Sequence, residues 1–404
     1  MLKHSLMLAG ILGASTGFSK PIEFKLESEI KTPLPAFLSL DQDRDDGPYR
    51  LIVTSFSAFG TDQVKVAQDI GANFKNPSAL SFDVWTSDVP WPNEVHRVPP
   101  EIFGEGYYAV AGGFLVPGKG NGQIRIINPE TDESFVISNR KNGYWYHKVH
   151  WVDMDGDGRL DILTARANKS LIGGGRGEML WLKQPANLDQ GPWTEEVIMK
   201  GPDVNFLYED FDGDGAFEII ATEFWKEKLS LVWKDNNGQW VRKVIDEKLG
   251  AGFDLQWVDL DLDGKKDLLV TNHENGPTAS VYAYEVPKNL RADDWTRHTL
   301  LTNIKTQVRG FGQASPGQAR TFYPTSDESG RPHIYVAGDG SQKVHILNPV
   351  SQDAGNWEYE EQILVEVNKG VIGQITAGDV DGDGMTELFI PAYDEGRILV
   401  YSAQ

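Results

Sequence analysis

One acidic turn recurs along the chain, and it limits the fold more than any other feature. Its clearest copy is Asp153-Met154-Asp155-Gly156-Asp157-Gly158-Arg159-Leu160-Asp161, followed at once by the apolar run Ile162-Leu163-Thr164-Ala165. Alternate residues throw their side chains to one side of a tight loop, and Gly158 permits the turn that aims them inward. A hard cation such as Ca²⁺ takes about six to eight oxygens, and such a turn makes a small oxygen cage. The pattern returns as Asp210-Phe211-Asp212-Gly213-Asp214-Gly215 with Glu218, Asp259-Leu260-Asp261-Leu262-Asp263-Gly264 with Asp267, and Asp379-Val380-Asp381-Gly382-Asp383-Gly384 with Glu387. A looser copy, Asp41-Gln42-Asp43-Arg44-Asp45-Asp46-Gly47, stands near the start.

The spacing of these turns defines a unit of roughly 50 to 60 residues with two positions skipped. Both skipped units can be found. Glu101 to Gly106 precedes the apolar run Tyr107 to Gly112, and Ser326 to Gly330 precedes His333 to Gly338; each keeps the turn and has lost the carboxylate ladder. Seven units result. Within each, an apolar strand enters the turn, a β-rich second strand follows (Ile219-Ile220-Ala221, Leu268-Leu269-Val270), and a third carries an aromatic, as at Trp181 and Trp233. A fourth begins near Trp193, Trp240 or Trp295. Four short strands per repeat without helical periodicity predict an all-β, seven-bladed β-propeller. The last unit lacks a fourth strand, while the alternating segment Pro21 to Ile30 has no unit of its own. Adding that N-terminal strand to the last blade would close the ring and remove two exposed edges.

Repeated Asp-x-Asp-x-Asp-Gly-x-x-Asp/Glu before a β-strand resembles the FG-GAP/VCBS repeat proteins, a group that includes integrin α-chain heads, fungal lectins and propeller parts of secreted sugar-active enzymes. The resemblance runs over about residues 21 to 404. It implies Ca²⁺ held by acids at loop positions one, three, five and nine. Carried over, these are Asp153, Asp155, Asp157 and Asp161; Asp210, Asp212, Asp214 and Glu218; Asp259, Asp261, Asp263 and Asp267; and Asp379, Asp381, Asp383 and Glu387. In the first loop Asp41, Asp43 and Asp45 match, but position nine is Tyr49. An EF-hand would need a helix after the loop and an acid at position twelve. Strands follow instead, and position twelve is Thr164, Ala221, Val270 or Ile390.

A formal charge of −21 argues against a nucleic-acid surface, and cysteine is absent, so disulfides do not staple the fold. Residues 1–19 read as a secretory signal peptide, with Lys3 and His4 before the apolar run Leu6 to Leu12 and small residues after it. That leaves 20–404 as a single propeller domain. No segment reads as a transmembrane helix.

Loops after the second strand of each blade should gather on one face, bringing Arg166, Glu223, His273, Glu274, Asp339 and Asp394 into a polar ring. The stretch Tyr144-Trp145-Tyr146-His147-Lys148-Val149-His150 is the most unusual polar-aromatic segment. In an unbroken strand His147 and His150 face opposite ways. No catalytic residue is assigned, since no hydrolase, zinc or nucleotide motif occurs. Tyr146, His147, His150, His273 and Arg166 are the candidates for a base and acid. Taken together, these readings point to a secreted, extracellular calcium-binding module for glycans or a matrix component. A sugar-active lyase or dehydratase working in the funnel is the alternative, and an integrin-like adhesion module the second.

Overall fold

A computed structural model describes residues 21–404 except 43, 45, 46, 117, 140, 142, 171–173, 189, 190, 309, 311 and 312. The segment read as a signal peptide, and Asp43 and Asp45, lie outside the described residues. Seven four-stranded antiparallel sheets form the molecule. Six are consecutive meanders. In the third blade, for example, Tyr144–Val152, Asp161–Ser170, Gly174–Lys183 and Thr194–Lys200 pair in chain order. The seventh joins the two ends of the chain: Phe24–Lys31 pairs antiparallel with Arg397–Ala403, from Phe24 opposite Ala403 to Lys31 opposite Arg397.

The core is divided among the gaps between neighbouring blades. Seven buried apolar clusters fill seven gaps, including the one between the last blade and the first, where Phe389 and Val400 meet Leu38, Leu51 and Phe74. The second strand of each blade shows why its sequence is apolar throughout. Ile219 and Ala221 face the third blade while Ile220 faces the fifth. Leu388 and Ile390 face the sixth blade while Phe389 faces the first. A strand buried on both faces loses the polar alternation of a half-exposed one. At the channel end of the last gap the backbones touch: Gln374 N–H donates to Ala36 O (2.9 Å), and Leu38 N–H donates to Gln374 O (3.1 Å). Gly373 is required there, because a Cβ would sit 1.9 Å from the Ala36 oxygen.

The strand Tyr144–Val152 is not unbroken. Its register with the second strand shifts between Tyr146 and Lys148, so His147 is a bulge residue and simple alternation fails from that point. The same slip occurs on the innermost strand of three other blades, between Pro35 and Phe37, Pro92 and Glu94, and Gly252 and Leu255.

Candidate metal cages and central channel

In each full acidic turn the first aspartate organises the loop through backbone N–H groups. Asp153 Oδ1 accepts from Gly156 N–H (2.7 Å) and Asp157 N–H (3.1 Å), and Oδ2 accepts from Gly158 N–H (2.9 Å). Asp379 repeats this with Gly382 (2.8 Å) and Gly384 (3.0 Å). The ninth acid reaches back to the second residue: Met154 N–H donates to Asp161 (3.2 Å), Leu260 N–H to Asp267 (3.0 Å) and Val380 N–H to Glu387 (3.1 Å). Oxygens of Asp153, Asp155 and Asp161, of Asp210, Asp212 and Glu218, and of Asp379, Asp381 and Glu387 lie within 4.8 Å of one another. The third turn gathers Asp259, Asp261 and Asp263 in the same way. Asp157, Asp214, Asp383 and Asp267 stand outside these groups. Each of the first three accepts the N–H two residues on, at 3.0, 2.8 and 2.9 Å respectively.

These donor sets fit a hard divalent cation. All are oxygens, and Asp259 Oδ1 is buried without a partner. Burial, followed by the neighbouring acids, pushes Asp267 and Glu387 up to about 7. A bound cation relieves both effects. The first loop differs. Both oxygens of Asp41 are taken: Arg50 Nε donates at 2.7 Å, Arg97 Nη2 at 2.9 and 3.0 Å, and the Tyr108 hydroxyl at 2.9 Å. Two guanidinium groups converge on this one carboxylate, whereas in the other turns single cations meet the acids, as where Lys75 reaches Asp381 (2.6 Å) and Arg291 reaches Glu218 (2.6 Å).

The innermost strands surround a cavity of about 530 Å³. The bulges govern its lining. Ala36, Asn93, His147 and Asp254, all at register slips, face it. One wall is aromatic: Phe56 stacks on Trp91 (4.3 Å between ring centroids), Trp91 stacks on Phe114 (4.8 Å), and Tyr393 approaches Phe56 (6.1 Å). Asp62 fixes this wall. It accepts from Trp91 N–H (2.8 Å), Ser57 N–H (3.2 Å) and Lys119 Nζ (2.7 Å), and holds Trp91 at φ +49°.

Elsewhere the lining is polar. Lys148 Nζ lies 2.8 Å from Glu94. Burial opposes ionisation of Glu94, yet Lys148 keeps its carboxyl below the usual range. Arg320 Nη2 and Asn205 Nδ2 donate to Asp254 Oδ1 at 2.8 and 3.0 Å. Asn93 Oδ1 and Gln318 Oε1 are buried acceptors without a protein donor.

The five residues proposed for acid–base work do not converge. His147 and His273 line the cavity. Burial depresses the His147 imidazole to about 4, which keeps it neutral. Tyr146 and Arg166 meet each other (3.4 Å) inside the third blade, where Arg166 is clamped by Glu178 (2.7 Å) and Glu195 (2.9 Å). Burial, reinforced by Glu195, pushes Tyr146 up to about 12, so its hydroxyl stays protonated. His150 lies in the gap to the fourth blade, 4.9 Å from the Phe206 ring. Of the predicted polar ring, His273 and Asp339 reach the cavity. Glu223 is paired with Arg242 (3.0 Å), Glu274 accepts from Ala251 N–H (2.8 Å), and Asp394 accepts from Val371 N–H (3.2 Å). Sequence reading missed the aromatic wall and the Glu94 and Asp254 pairs. Each pair joins residues of different blades, Glu94 to Lys148 and Asp254 to Arg320, with no motif linking the partners in sequence.

Residues 210–270 match the FG-GAP-like repeat family. That stretch runs from the acidic turn of the fourth blade through most of the second strand of the fifth. Comparison with curated proteins finds no match.

Proposed function

Starting from a seven-bladed propeller that carries an FG-GAP-like repeat, we propose that the protein is a secreted, calcium-stabilised binding module whose central channel takes a glycan. The observation carrying this reading is the composition of the channel. A stacked aromatic wall faces carboxylates, amides and unpartnered carbonyl acceptors across one cavity. Sugars present apolar C–H faces and a rim of hydroxyl donors, which suits such a lining.

Calcium in the four full cages would rigidify the turn between the first two strands in four of the seven blades, and it stabilises the folded chain alone. Asp153, Asp210 and Asp379 hold their loops in shape, while Asp155, Asp212 and Asp381 complete the cages. The lyase alternative is weakened because Tyr146, Arg166 and His150 lie away from the channel. Among the described residues no helix is long and apolar enough to cross a membrane.

The test is a glycan panel run on the calcium-loaded protein, with Phe56→Ala beside it. Binding that weakens at least tenfold in the variant supports the channel reading; a panel without any ligand removes the glycan assignment.

A further inference from the structure

Among the described residues the channel contains three carboxylates, and two of them are matched. Glu94 has Lys148 at 2.8 Å, and Asp254 has the Arg320 fork. The third is Asp339. Among the described residues its one ion-pairing neighbour within 4.0 Å is the His273 imidazole, whose Nδ1 lies 3.8 Å away. That nitrogen is already engaged 3.0 Å from the Pro316 carbonyl. A carbonyl can only accept, so Nδ1 carries its proton toward Pro316, and among the described residues no side chain donates to the Asp339 carboxylate. A partly buried carboxylate without a donor is costly, and this one sits in the left-handed region (φ +48°), facing the channel.

The neighbouring wall is aromatic. Ile372 bridges to Asp339 on one side and to Ala392 on the other, which sets the next residue, Tyr393, on the same stretch of channel. From Tyr393 the rings continue to Phe56 and Trp91. An unmatched negative charge beside π faces is the environment an ammonium group favours.

We infer that Asp339 makes the channel selective for a sugar bearing a free amine, with the ammonium group on Asp339 and the sugar ring against the aromatic wall. This rests on the channel reading above. Asparagine tolerates the left-handed region as aspartate does, so Asp339→Asn removes the charge without backbone strain.

Isothermal titration of the full calcium-loaded chain with chitosan disaccharide, its fully N-acetylated counterpart, cellobiose and a lysyl-lysine peptide tests the inference. It should be run at about 0.15 M salt, where long-range attraction to the acidic surface is screened. The expected result is at least tenfold preference for the amine disaccharide, reduced to near parity in Asp339→Asn with an unchanged melting temperature. If Phe56→Ala weakens the neutral sugars while Asp339→Asn leaves the amine preference intact, the channel reading stands and this inference falls. If neither variant alters binding of any saccharide, both fall. Preference for the lysyl peptide over the amino sugar overturns the assignment to a sugar.

Discussion

Lys75, from the connection between the third and fourth strands of the first blade, lies 2.6 Å from Asp381 in the acidic turn of the seventh. The short helix Ile70–Asn73 brings it there, and the approach is close: a Cβ on Gly71 would stand 2.0 Å from the Val380 carbonyl oxygen. One blade thus buttresses the cage of its neighbour.

Gly71→Ala should therefore push the two blades apart. Overpacking of this kind costs about 1–3 kcal/mol. Denaturant melts should show that loss, and calcium titration should show weaker binding at one cage while the remaining cages are unchanged.

Calcium binding should reach four ions per chain. The turn at Asp41 is expected to take none, since Arg50, Arg97 and Tyr108 already satisfy its carboxylate. Asp153→Ala or Asp379→Ala should lower the count by one, measured by metal analysis after equilibrium dialysis. Asp41→Asn should leave the count at four yet destabilise by about 3 kcal/mol, because it removes the charge that two guanidinium groups share. Chelation should lower the melting temperature of the wild type, and a single cage at a hundredfold excess over Kd is worth about 2.7 kcal/mol.

Leu262 adopts φ +58° at the fourth position of its turn, where the other three full turns have Gly156, Gly213 and Gly382 at φ +73° to +75°. A branched residue there costs about 1–2 kcal/mol, and glycine returns part of that gain as chain entropy. Leu262→Gly should stabilise the protein by roughly 1 kcal/mol in urea melts. A loss of stability would mean that the Leu262 side chain contributes more through packing than its backbone strain removes.

His150 predicts an acid-sensitive gap between the third and fourth blades. Burial, followed by Lys148, lowers its imidazole from 6.5 to about 4. Below pH 6.5 the unfolded chain takes up a proton that the folded chain refuses, so this residue subtracts stability as pH falls toward 4, and the loss is constant below that. Buried acids pushed upward, such as Asp203, act in the opposite sense and are common to wild type and variant. Comparing His150→Phe with wild type isolates the effect: the variant should gain about 2–3 kcal/mol on wild type between pH 7.5 and 4.5. A constant difference across that range would show that His150 titrates normally in the fold.

The blades and cages were readable because each is written within one repeat. Ile219-Ile220-Ala221 declares a strand buried on both faces, and Asp153 through Asp161 closes its loop with its own backbone. What could not be read depends on partners from other blades. The clamp on Asp41 needs Arg97 and Tyr108 from the second blade. The aromatic wall joins Phe56, Trp91 and Phe114 from loops with no shared motif, and Trp91 takes a backbone conformation that its residue type does not announce. The facing of the residues beyond His147 could not be read, because a one-residue bulge reverses alternation without leaving a trace in composition.

Those bulges separate two tasks within one strand. Ala36, Asn93 and His147 stand at places where the ladder slips, so their side chains turn toward the lumen and not into the apolar gaps. Exchanging such residues would change what the lumen recognises while the hydrophobic gaps and acidic turns go on specifying the ring. A scaffold of this kind can acquire new ligands through a handful of inward-facing positions, without renegotiating its own foldability.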